Sequence, residues 1–96
     1  EIAEGLEPFY EAAIADLLEQ MGAFPGYASG ESLKDLRHPN RYVVVTRWQN
    51  KAAWDRWLHS EARRDKSAEL RPFLLGDEKI TLLRQLSYYR VDPANP

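Results

Sequence analysis

Residues Lys79 to Val91 constrain this chain more than any other stretch. Read as a strand, they carry Ile80, Leu82, Leu86 and Tyr88 on one face, and Leu83, Tyr89 and Val91 on the other beside Gln85 and Ser87. A strand that is apolar on both sides needs cover on both sides. The rest of the 96-residue chain must supply that cover, and it is one domain's worth of sequence.

Gly5 to Met21 is predicted to be a helix. Pro8 sits near its start, and Tyr10, Ala13, Ile14, Leu17, Leu18 and Met21 recur at helical spacing. Gly22 and the Phe24-Pro25-Gly26 turn end it. Tyr27 to Leu36 reads as a polar strand that bends or bulges around Gly30. After the His38-Pro39-Asn40 turn, Arg41 to Gln49 holds the strongest strand signal, with Tyr42-Val43-Val44-Val45-Thr46 at its centre. Asn50 is placed to cap a second helix on which Trp54, Trp57, Leu58 and Glu61 fall at i, i+3, i+4 and i+7. Ser60 is placed to cap a further segment, Glu61 to Leu70, ended by Pro72. Residues 1–91 form the expected domain, and Asp92 to Pro96 a short Pro-bearing tail.

The order is helix, strand, strand, helix, strand. The chain begins at Glu1 rather than Met, and one strand added before it gives βαββαβ, the α+β ferredoxin-like split unit. Helices cover one face of such a sheet. The apolar second face then calls for a face-to-face homodimer that encloses a cavity between two sheets.

Charge narrows the function. Thirteen Lys and Arg against fifteen Asp and Glu leave a formal charge of −2, so nothing electrostatic draws the chain to nucleic acid or an anionic membrane. With no cysteine there is no disulfide, thiolate or iron–sulfur chemistry, and the two histidines lie too far apart in sequence for a metal-ligand motif. A cytoplasmic protein is the expectation.

The run from Arg41 to Trp48, continued by Gln49-Asn50-Lys51-Ala52-Ala53-Trp54-Asp55-Arg56-Trp57-Leu58-His59-Ser60-Glu61, resembles the antibiotic biosynthesis monooxygenase family. The Phe24-Pro25-Gly26-Tyr27 turn and the Tyr-rich closing segment match as well. The resemblance implies a dimeric ferredoxin-like α/β barrel whose first strand is missing from this sequence. It implies, as activity, oxygen insertion without a bound cofactor into a small aromatic, quinol or anthrone-type substrate. A non-catalytic binding or stress-response module of the same fold is the alternative. Haem binding or degradation is disfavoured, because Ser67 stands where that branch of the family carries its ligating histidine.

Cofactor-free oxygenation asks for a dry aromatic pocket, a proton partner and donors to a developing anion. The candidates are Trp57 and His59 for catalysis, with Trp48, Tyr88 and Tyr89 as walls and Arg47, Arg84 and Asn40 as donors. Each has a plainer reading. Trp57 and Trp48 suit packing, and His59 suits a solvent-facing helix end. Arg84 either pairs across a dimer or faces an anionic substrate, and only one of Tyr88 and Tyr89 faces a cavity.

Overall fold

A computed structural model describes residues 1–76, 78–89 and 91. Pro8 lies in the first turn of helix α1, Glu7–Met21, where its missing N–H has no intrahelical partner to lose. The turn after it is set by Pro25 and Gly26. Tyr27 N donates to Phe24 O at 3.2 Å, and Gly26 takes φ +88°, as the third position of such a turn requires. The chain then enters β1, Tyr27–Lys34, which pairs antiparallel with β2, Tyr42–Trp48.

The ladder between β1 and β2 has one irregularity. Tyr27 opposes Trp48 and Ser29 opposes Arg47, so Ala28 is an extra residue. The bulge expected around Gly30 therefore lies two residues earlier. Gly30 is needed for another reason. A Cβ there would strike the Tyr27 hydroxyl and the Leu18 side chain, because Tyr27 folds over it.

Asn50 caps helix α2, Lys51–Leu58, by accepting from Ala53 N at 2.9 Å. Ser60 ends that helix and starts the next. Its hydroxyl donates to Trp57 O at 2.7 Å and accepts from Arg63 N at 3.2 Å, opening α3, Glu61–Leu70. A single 3-10 turn, Arg71–Phe73, carries Pro72.

Two apolar clusters hold these pieces together. In the first, buried Ile2, Tyr10 and Ile14 pack with Leu6, Leu17, Leu18, Tyr42, Leu70, Phe73 and Leu74. Glu1–Ala3 is threaded through it: Ile2 N donates to Asn40 O at 2.7 Å, Ala3 N to Phe73 O at 2.8 Å, and Leu75 N to Glu1 O at 2.9 Å. The second cluster is aromatic. Phe24, Tyr27, Trp54 and Trp57 surround Trp48 with ring centroids 5.3 to 6.3 Å from it. Gly26 backs directly onto Ala53 beneath this cluster.

The closing segment departs from expectation. Residues 78–89 and 91 have no regular secondary structure in the single chain, so the strand over Lys79–Val91 is not formed there. Arg90 and the Asp92–Pro96 tail lie outside the described residues. The physical reason is the lack of a partner strand: the described ladder contains β1 and β2 alone. What is present is an α+β arrangement of a small antiparallel sheet with helices on one side.

Gly26 gives a direct test of the packing. Gly26→Ala places a methyl group on Ala53 at a backbone angle that L residues avoid, and should destabilise by about 1–3 kcal/mol. The melting temperature should fall by at least about 4 °C. Gly76→Ala, with open space around it, should stay within about 0.5 kcal/mol of the parent.

Candidate functional site

The bulge at Ala28 decides which side chains share a face of the sheet. On the helix side lie Gly30 and Thr46, Ser32 and Val44, and Lys34 and Tyr42, with Tyr27 and Trp48 brought onto the same side by the extra residue. On the outer side lie Ser29 and Arg47, Glu31 and Val45, and Leu33 and Val43. The outer face is thus polar at one end and apolar at the other.

The polar end forms a cleft of about 420 Å³ lined by Ser29, Glu31 and Arg47 of the sheet, with Gln85 and Tyr88 of the closing segment across it. Arg47 stands opposite Ser29, and its Nη1 is 3.6 Å from Glu31 Oε1. A guanidinium, a carboxylate, a phenol, an amide and a hydroxyl line this open cleft. The set can hold a polar oxygen, stabilise it as an anion and exchange a proton with it.

A second cleft, of about 350 Å³, lies on the helix side between Glu11, Ser32, Lys34 and Tyr42. Lys34 Nζ is 2.8 Å from Glu11 Oε2, the Tyr42 hydroxyl donates to the same carboxylate oxygen, and the ammonium lies 5.3 Å from the Tyr42 ring centre. The hydrogen bond from Lys34, then that from Tyr42, holds the Glu11 carboxyl below its ordinary 4.5. Glu11 in turn raises Lys34, while burial first and the Glu11 bond second raise Tyr42. Burial likewise raises Tyr10, whose ring sits 4.9 Å from that of Tyr42. These groups satisfy one another, so the cleft has less unspent polarity than the outer one.

The expected site residues separate into groups. Arg47 and Tyr88 meet in the outer cleft. Trp48 and Trp57 lie on the opposite side, in the aromatic cluster. Trp57 is only 6% exposed, with its ring 5.2 Å from Phe24 and stacked 6.3 Å from Trp48. The Trp48 indole N–H donates to Thr46 Oγ1 at 3.0 Å. His59 ends α2 with Nδ1 3.0 Å from Asp55 O and is exposed. It does not share the Trp57 environment. Asn40 donates through Nδ2 to Ile2 O at 3.2 Å and helps anchor the first residues. Arg84 and Tyr89 are exposed. Ser29, Glu31 and Gln85 join the cleft without having been singled out. Only alternation along β1 signalled the first two, and it needs the bulge to be placed correctly.

A family profile for antibiotic biosynthesis monooxygenase matches residues 1–68. The chain belongs to the antibiotic biosynthesis monooxygenase family. A solved structure titled "Crystal structure of antibiotic biosynthesis monooxygenase" is similar in fold, with 16% identity, a TM-score of 0.76 and 90% of each chain covered. No curated protein matches the sequence. Among the described residues, no group of three or more His, Asp or Glu is placed to hold a metal ion, and no helix is long and apolar enough to cross a membrane.

Glu11 makes stability depend on acid pH. Its native pKa is lowered, so its contribution is complete above the ordinary value and is lost as pH falls through the native one. Asp35, lowered first by the Arg37 N–H, acts in the same direction. Urea midpoints measured from about pH 5 down to 2 should fall steeply for the parent and less steeply for Glu11→Gln.

Proposed function

We propose that the protein is a cofactor-independent monooxygenase of small aromatic, quinol or anthrone-type substrates, working as a homodimer in the ferredoxin-like βαββαβ arrangement of its family. The observation that carries this reading is the outer cleft, which Arg47 and Tyr88 both line on the sheet face that the helices leave uncovered. Sheet-to-sheet association would roof that cleft and exclude water, which strengthens every electrostatic contact inside it.

The chemistry follows from the substrate. Loss of a proton turns a phenol or an activated methylene into an electron-rich anion that can reduce dioxygen itself. The Arg47 guanidinium stabilises that anion, and Glu31, 3.6 Å away, or the Tyr88 phenol handles the proton. For a ring methylene, one oxygen atom enters as the new carbonyl. The other leaves as water with the two hydrogens of the carbon, and the substrate supplies all four electrons that dioxygen accepts. In this reading Trp57 and Trp48 brace the sheet from behind, and Arg47 and Tyr88 touch the reacting molecule.

Oxygen uptake across a panel of quinols and anthrones tests this. The parent should consume one dioxygen per turnover. Arg47→Gln should lower kcat/KM about ten- to a hundredfold, the loss of one hydrogen bond to a charged oxygen. Its helical circular dichroism should persist, since Arg47 lies on the outer face, away from the aromatic cluster that packs the helices on the sheet. Tight binding of the same compounds without oxygen uptake would assign the binding-module alternative instead.

A further inference from the structure

The lining of the outer cleft is electrically balanced before anything enters it. Arg47 is its one cation and Glu31 its one anion, while Ser29, Gln85 and Tyr88 are neutral groups that both donate and accept hydrogen bonds. Arg84, next to Gln85 in the chain, does not line it. The balance is local as well. Arg47 Nη1 lies 3.6 Å from Glu31 Oε1, and both side chains are about half exposed. A cavity of about 150 Å³ is enough for benzene, so a cleft of about 420 Å³ has room for two or three fused rings.

We propose that Glu31 determines specificity in this cleft, admitting an aromatic ligand that arrives neutral with an ionisable hydroxyl and turning away one that arrives as a carboxylate. The proposal rests on the monooxygenase reading above and narrows its substrate class.

Arg47 by itself would make the opposite choice. A guanidinium meets a carboxylate in two parallel charge-assisted hydrogen bonds, and so favours it over a neutral phenol. Glu31 reverses that order by charge. An anion bonded to Arg47 Nη1 at about 2.8 Å lies no more than about 6.5 Å from Glu31 Oε1. Repulsion between unit charges at that distance weakens binding about threefold in bulk water, and more than about tenfold at the lower effective dielectric near a protein surface. A carboxylate would thus leave two anions for one guanidinium. A phenol-type hydroxyl, whose ordinary pKa is about 10, is neutral at pH 7 and adds no charge.

The same pair then suits the proton transfer. The O–H bond of the ligand breaks, the proton bonds to the Glu31 carboxylate, and the electron pair stays on the ligand oxygen. Negative charge moves from Glu31 to that oxygen, and Arg47 keeps one anion beside it throughout. The total charge in the cleft does not change. A ligand that arrives deprotonated has no such proton to hand over and leaves Glu31 charged.

The test is calorimetric binding of two probes, naphthol and naphthoate substituted at the same ring position, to the full chain at neutral pH under argon. Their rings are identical and their charges differ. The parent should bind naphthol about threefold or more tightly than naphthoate. Glu31→Gln keeps the shape and removes the charge, so naphthoate should tighten about threefold or more while naphthol should not tighten. Glu31→Asp keeps the charge and should keep naphthol ahead, a result that a merely structural role for Glu31 would not give. Equal affinity of the parent for the two probes, preference for naphthoate, binding of neither, or an unchanged ratio in Glu31→Gln would overturn the proposal. Oxygen uptake with quinols, measured alongside, separates the two claims. Uptake without discrimination removes this role of Glu31 and leaves the monooxygenase reading standing. Discrimination without uptake supports the role of Glu31 and overturns the monooxygenase reading.

Discussion

The extra residue at Ala28 sets the two sides of the sheet apart. By rotating the start of β1, it turns Tyr27 toward Trp48 and the helices while leaving Ser29 and Glu31 on the outer face beside Arg47. Without it, Tyr27 would fall on the same side as Ser29 and Glu31, and the aromatic cluster would lose a wall. Gly26 and Gly30 serve the same arrangement. The first admits the turn and the close approach of Ala53, and the second makes room for the folded-back Tyr27 ring. A small polar strand thereby carries a packed interior on one side and a lined cleft on the other.

Those two sides divide the aromatic and charged residues by task. Indole rings gain most from burial against one another, and Trp48, Trp54 and Trp57 accept that role on the helix side. Arg47 needs room for its planar fork and finds it on the outer face, where its ion pair among the described residues is an exposed contact with Glu31. A guanidinium so lightly engaged is available to an anionic substrate oxygen. The Lys34–Glu11–Tyr42 group is the contrast: its members are spent on one another, so it ties α1 to the sheet.

Much of the fold was legible in the sequence because its signals are local. Pro8, Pro25, Asn50 and Ser60 each act within a few residues, and the helix and strand limits they mark fall within a few residues of those predicted. The bulge was misplaced because Gly30 is the conspicuous residue, whereas the irregularity answers to Tyr27 packing across the sheet. The site was less legible for the same reason. Trp57 and His59 were both candidates for catalysis, but two residues apart on a helix they face different sides: one ring packs on Phe24 and the other lies beside the Asp55 carbonyl at the helix end. The closing segment reads as a strand by alternation, but alternation says nothing about where the adjoining strand comes from. Among the described residues the ladder holds β1 and β2 alone.

That missing neighbour is why the proposed reading calls for a second copy, whose sheet would roof the cleft. The most direct measurement is urea unfolding over a hundredfold range of protein concentration. If folding and association are one event, the midpoint should climb steadily with concentration, because a second copy binds only the native chain. A midpoint that stays fixed across that range, with the whole signal lost in one transition, would mean that one copy is stable alone, and the account would be wrong.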